Sequence, residues 1–194
     1  LFAYLHNLNL KFMDNPWKTL AIRQQYDSPW ICTEEHDVIN PAGKQSIYSK
    51  VCFKNIAVAI IPLTENHETY LVGQFRYPTQ SYEWEVCEGG CPIGTSPVAT
   101  AKRELIEECG ITAEIFTEVL HMQLSNAATD EVSYTYVAQQ LTFGNNDPEE
   151  TEQLTIKKVP FAQVFEMAMN GEIKDGLSVA SIFKVQLMIE KGLL

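Results

Sequence analysis

GGCPIGTSPVATAKRELIEECGI, running from Gly89 to Ile111, begins as a glycine-rich loop and turns into a short helix with legible ends. Ser96 suits an N-cap, Pro97 the first helical position, and Gly110 the left-handed residue that closes a helix. At about 100° per residue, Val98, Ala101, Leu105 and Cys109 share one face, which the pattern predicts to be buried. Glu104 and Glu108 lie four apart on the flank of that stripe, and Glu107 sits about a quarter turn further round, beside Arg103. For a plain helix this is an unfavourable arrangement. Like charges at i,i+4 cost roughly 0.2–0.5 kcal/mol, and acidic groups in the last turn oppose the helix dipole by about 0.3–1 kcal/mol each. An exposed acidic helix end on an acidic protein would carry the same letters. The alternative is that something positive rests against the face, and hard divalent cations take carboxylate oxygens.

The glycine loop, the caps and the carboxylates occur together, and together they resemble the signature box of Nudix hydrolases, G-x5-E-x7-R-E-U-x-E-E-x-G-U with U aliphatic. Gly89, Arg103, Glu104, Leu105, Glu107, Glu108, Gly110 and Ile111 match that pattern. Thr95 stands where the pattern has its first glutamate, which puts the bracing of the loop in question more than metal binding. The resemblance implies Glu104 and Glu108 as direct metal ligands, with the backbone carbonyl of Glu88 beside them. Glu107 would complete or orient the set, and Arg103 would brace the loop through a salt bridge. The ion implied is Mg2+, with Mn2+ as a substitute.

Outward from the box, the chain has 194 residues, 45% of them hydrophobic, enough for one sizeable core. A net charge of -11 argues against a nucleic-acid backbone as partner, which would call for a basic excess. A phosphate-bearing small molecule stays compatible, because cations can neutralise both sides. No apolar run approaches the roughly 20 residues that span a bilayer, and no secretory pattern opens the chain. Five cysteines at irregular spacing do not form a disulfide framework, and reduced thiols point to the cytoplasm. Cys87 and Cys91 flank the loop, but His6, His36, His67 and His121 are too scattered to complete a zinc site with them.

Residues 1–12 read as upstream or vector-derived sequence, since Met13 is a natural start. Residues 13–194 read as a single domain. Within it, 17–53 reads as antiparallel strands, with a hairpin of 31–39 and 46–53 about the turn at 40–44. Further strands are expected at 56–63, the continuous apolar run of a central strand, and at 70–76, 82–86, 114–122, 131–139 and 154–159. Helices are expected at 161–170 and 176–190, the latter capped by Asp175 and stopped by Gly192. The order gives a mixed sheet sandwiched by helices.

It is similar to the Nudix fold, an α/β (α+β) class: an α/β/α sandwich with a mixed sheet and an N-terminal antiparallel β subdomain. YLVGQFRYP (70–78), EWEVCEGG (83–90), the acidic stretch 149–152 and GEIKDGLSVASIFK (171–184) resemble the branch that cleaves ADP-ribose and related nucleotide sugars. That likeness implies a homodimer built through the N-terminal strands. It also implies a general base from the acidic loop DPEETEQL. Asp147, Glu149, Glu150 and Glu152 are available there, and register against the following strand favours Glu150.

For the substrate, Arg76 stands where the family often places a phosphate-binding arginine, although an edge arginine paired with Glu83 or Glu85 reads as well. Glu85 shares a strand face with Glu83, Glu131 lies in an acidic pair with Asp130, and Trp30 offers a stacking ring or else a core or interface residue. Asn126 replaces the proline usual in ADP-ribose members, which weakens the narrow assignment and leaves base and sugar preference open, with ADP-ribose ahead of GDP-mannose and other sugar nucleotides. A catalytically silent nucleotide-ligand sensor is the reading from another class. No G-x4-GK[ST] loop, G-x-S-x-G elbow or H-E-x-x-H helix competes.

Overall fold

The structure, a computed structural model, describes residues 14–145 and 153–194. Its strands are β1 (Lys18–Asp27), β2 (Ile31–Ile39), β3 (Gln45–Phe53), β4 (Asn55–Pro62), β5 (Glu68–Arg76), β6 (Ser81–Glu85), β7 (Cys87–Pro92), β8 (Ile111–Gln123), β9 (Val132–Phe143) and β10 (Thr155–Pro160). Its helices are α1 (Pro97–Cys109), α2 (Phe161–Met169) and α3 (Gly176–Glu190). They form an antiparallel sheet β1-β2-β3, a second antiparallel sheet β10-β5-β6, and a mixed sheet β7-β4-β9-β8 in which β4 and β9 run parallel.

β4 shows why the middle layer holds. Successive side chains of a strand point to opposite faces, and both faces of β4 are covered. Ala59 and Ile61 pack with Phe161, Val164, Ile182 and Val185 of α2 and α3. Val58 and Ile60 pack with Ala101 and Leu105 of α1. A strand buried on both sides reads as an unbroken apolar run, which is how 56–63 reads. The helices therefore flank the sheets as an α/β/α sandwich. Among the described residues, no helix is long and apolar enough to cross a membrane.

The glycine stretch departs from expectation. Cys87–Pro92, read as loop from its composition, is strand β7, paired antiparallel with β4 from Ile60↔Cys87 to Asn55↔Pro92. Glycine weakens a strand in isolation, but it is found where another group approaches closely. That is the case at Gly89. An added Cβ there would stand 2.0 Å from Cδ of Glu104.

Helix ends follow the sequence with one exception. Gly110 closes α1 in the left-handed region at φ 65°. Asp175 caps α3, its carboxylate accepting from the Ser178 N–H at 2.7 Å. Ser96 has the extended backbone of an N-cap, yet its side chain makes no capping hydrogen bond.

Candidate active site

The box folds so that α1 lies across β7 with its acidic flank inward. Glu108 is 2% exposed and Glu104 9%, while Glu107 lies further out, so the two carboxylates flanking the apolar stripe are the ones drawn into the protein. Glu108 Oε2 accepts the backbone N–H of Glu88 at 3.2 Å, and Glu104 fills the space that Gly89 leaves. α1 and β7 are thus interlocked through the same carboxylates that the box pattern singles out.

Arg103 pairs with Glu104 and with Glu107, one turn on. The brace expected between this arginine and the loop is therefore made within the helix, where it offsets part of the repulsion among the acids. The loop is closed by Thr95 itself. Its hydroxyl donates to the Pro92 carbonyl at 2.7 Å and lies 3.2 Å from Cys91 Sγ, and its N–H donates to the same carbonyl at 3.0 Å. A short side chain at this position ties the turn to itself in place of a longer acid.

Beside β7 opens a cavity of about 330 Å³ lined by Phe53, Asn55, Arg76, Glu88, Gly89 and Glu131, among others. A larger hollow of about 820 Å³ between Glu65–Glu68 and Gln139–Phe143 contains none of the predicted site residues. The smaller one brings together residues far apart in sequence. Arg76, at the end of β5, is gripped by Glu85 of β6: its Nε donates to Oε1 at 2.9 Å and to Oε2 at 3.0 Å. Glu85 is 3% exposed and does not line the cavity, so what it governs there is the pose of Arg76. Glu85 holds the Arg76 guanidinium above its ordinary pKa, and Glu88 and Glu108 add to this, which puts that cation in the field of the box. Glu83 takes a hydrogen bond from Ser81 at 2.6 Å and faces Lys174 at 3.6 Å.

Glu131 enters the cavity from the residue just before β9, and burial, then the nearby Asp175 charge, raise its carboxyl pKa. Its neighbour Asp130 is engaged elsewhere, by Lys50 Nζ at 2.8 Å and by the Phe53 N–H at 2.9 Å. Those contacts, with Tyr48 Oη donating to the Ala127 carbonyl at 2.6 Å, fasten the 125–131 loop to β3. Trp30 sits in the turn between β1 and β2, 70% exposed and away from the cavity lining. Asp147, Glu149, Glu150 and Glu152 lie outside the described residues.

One contributor escaped the sequence. Ser178, buried at the start of α3, donates to Glu88 Oε1 at 2.8 Å and accepts the Val86 N–H at 3.1 Å. It pins the β6–β7 junction to α3. The only signal for it was its place in the 171–184 segment. The Glu88 carboxyl pKa is raised by burial and by Asp175, with Ser178 opposing.

The donor set fits a hard divalent cation: carboxylate oxygens of Glu104 and Glu108 next to a strand that offers peptide carbonyls, with glycine where the carboxylate must pass. No thiol or imidazole belongs to the proposed set. With Arg76 alongside, the arrangement suits an anionic, phosphate-bearing ligand.

A family model described as NUDIX domain matches residues 54–178. The ADP-ribose pyrophosphatase of Bacillus subtilis (strain 168) is 28% identical over 172 residues, which cover 88% of this chain and 92% of that protein. The ADP-sugar pyrophosphatase of Mus musculus is 32% identical over 137 residues, covering 62% of this chain and 63% of its own. A crystal structure of an ADP compounds hydrolase superposes with a TM-score of 0.81 at 22% identity, over 92% of this chain and 97% of that one. That likeness carries the fold.

Proposed function

The chain belongs to the Nudix hydrolase family, and from that premise we propose that it cleaves the pyrophosphate of a nucleoside diphosphate linked to a second group. The substrate put first is ADP-ribose or a related nucleotide sugar, and the products are a nucleoside monophosphate and a sugar phosphate. The names of the Bacillus and mouse relatives support this choice. Relatives described as GDP-mannose pyrophosphatases, 24% identical, keep that sugar nucleotide as the competing substrate. The observation that carries the proposal is the interlock of Glu104 with Gly89 and of Glu108 with the Glu88 N–H, beside a cavity that holds Arg76.

In this reading Glu104, Glu108 and the Glu88 carbonyl hold Mg2+, or Mn2+ in its place, with Glu107 completing or orienting the set. A bound divalent ion would neutralise phosphate oxygens and lower the pKa of water. The chain's own groups do the rest. Arg103 restrains Glu104 and Glu107 in one orientation. Arg76, posed by Glu85, contacts a phosphate, and Glu131 contacts the sugar or the water. The water oxygen bonds to phosphorus as the bridging P–O bond breaks, and the water proton passes to a carboxylate, for which we propose Glu150. Trp30 is proposed as an aromatic contact for the base, reached across a homodimer built through β1–β3. The net charge of -11 argues against nucleic acid as a partner, and the reduced thiols suit the cytoplasm.

A product-release screen of nucleotide sugars and dinucleotides with magnesium or manganese tests the substrate class. In the same assay Glu108→Gln should cut turnover by about 10²-fold or more while leaving the melting temperature near wild type. Wild-type turnover in that variant would remove the ligand assignment. Glu150→Gln should slow the reaction with little change in metal affinity. Absence of hydrolysis across the panel, with nucleotide binding retained, would favour the sensor reading.

A further inference from the structure

A second cluster of ligand-type side chains lies outside the candidate active site, on the β2–β3 hairpin. Cys32 and Cys52 are directly opposed in the antiparallel register, and Glu34 is two residues along β2, hence on the same face. One ligand atom from each of Cys32, Glu34 and Cys52 lies within 4.8 Å of the others. Tetrahedral zinc with bonds of about 2.3 Å separates two thiolate sulfurs by ~3.8 Å, so closing the set needs side-chain adjustment and no movement of the strands. We propose that Cys32, Cys52 and Glu34 bind a zinc ion that clips β2 to β3.

The chemistry of the donors separates this site from the box. Two thiolates select zinc, whereas an all-oxygen set selects magnesium. Both cysteines are free and half-buried, shielded from bulk water yet open to an entering ion. His36, next along the same face, lies with its Nε2 2.8 Å from Glu34 Oε2. A carboxylate that binds metal through one oxygen and holds a polar neighbour on the other is the usual outer-shell arrangement. The fourth position falls to water. Two thiolates, one carboxylate and Zn2+ sum to one negative charge, and Lys50, opposite Glu34 in the register, supplies a nearby cation.

The consequence reaches the cavity. β3 is the strand that fastens the 125–131 loop through Tyr48, Lys50 and Phe53, and that loop leads into Glu131. A clip at Cys52 therefore stiffens the strand that positions one wall of the cavity.

The test uses the whole chain, purified with reductant, stripped of metal, and equilibrated with zinc in excess magnesium so that the box is served. Wild type should retain one zinc per chain through gel filtration, measured by elemental analysis, and zinc should raise its melting temperature. Cobalt(II) in place of zinc should give a thiolate-to-metal charge-transfer band. Cys32→Ser and Cys52→Ser should abolish the band, and Glu34→Gln should weaken zinc by about tenfold or more. Cys109→Ser should behave as wild type. Should a serine variant fail to fold, the wild-type stoichiometry and the Glu34→Gln affinity still decide. Reduced wild type that retains no zinc overturns the proposal, as does equal retention by Cys32→Ser and Cys52→Ser. A Cys32–Cys52 disulfide in the isolated chain, with no zinc uptake after its reduction, overturns it too.

Discussion

At Gly89, a methyl group would collide with the carboxylate and Cγ of Glu104, at 2.0 to 2.3 Å, and with nothing as near in the backbone. A flexible side chain can move aside, so Gly89→Ala should fold with a melting temperature close to wild type. The carboxylate that moves is the one assigned to metal, however. Turnover with magnesium should therefore fall about 10²-fold, and an alanine variant of normal activity would show that Glu104 need not sit there. Glu131 supplies a second residue-level test. Burial raises its folded pKa above the ordinary value of about 4.3, so the folded chain holds that proton more tightly than the unfolded one. Its contribution to stability is whole below about pH 4 and is lost as pH climbs through the folded titration. In metal-free protein, Glu131→Gln should flatten the fall of melting temperature as pH rises above about 4. Matching pH profiles for variant and wild type would contradict the shift.

Among the elements, the N-termini of α3 and α1 make a contrast. Asp175 accepts from the Ser178 N–H, whereas Ser96 occupies the cap of α1 without using its hydroxyl there. Side-chain caps are worth about 1 kcal/mol, so Asp175→Ala should cost about that in a denaturant titration, and Ser96→Ala less than about 0.3 kcal/mol. Asp175 also sits near Glu88 and Glu131 as a like charge. Both neutral substitutions relieve that repulsion, and Asp175→Asn should be more stable than Asp175→Ala because it alone keeps an acceptor for the Ser178 N–H. Equal losses at Ser96 and Asp175 would mean that the hydrogen-bond pattern does not govern these helix ends.

For the molecule as a whole, assembly turns on the N-terminal sheet. Every residue of β1 is exposed, and Leu20, Ile22, Tyr26 and Ile47 present apolar surface on a sheet held to the rest largely through the β3 contacts with residues 127–130. A three-stranded sheet in which only Val38 is buried lacks a core of its own, which is the physical case for a second copy of the chain. Light scattering should report a dimer for wild type and a monomer for the Ile22→Lys/Ile47→Lys variant. A monomeric wild type would remove the partner and leave Trp30 without a route to the substrate.

The sequence by itself carried the helix of the box, the central strand and the closing helices, because each is written in local periodicity and caps: Pro97 to Gly110, the apolar run 56–63, Asp175 before α3. It also drew attention to the acids of that helix end, whose crowding is a cost visible without coordinates, and the resemblance of the box then implied Glu104 and Glu108 as the ligands. Only the tertiary structure decided that the glycines belong to a strand. The reason for Gly89 is the passage of Glu104, a residue fifteen positions on, and no local pattern records that. The partners of Arg76, the self-closed turn at Thr95, the tie from Ser178 to Glu88 and the meeting of Cys32 with Cys52 have the same character. Each depends on which strands and helices come to lie side by side, and that is settled by the burial of both faces of β4 rather than by neighbours in the chain.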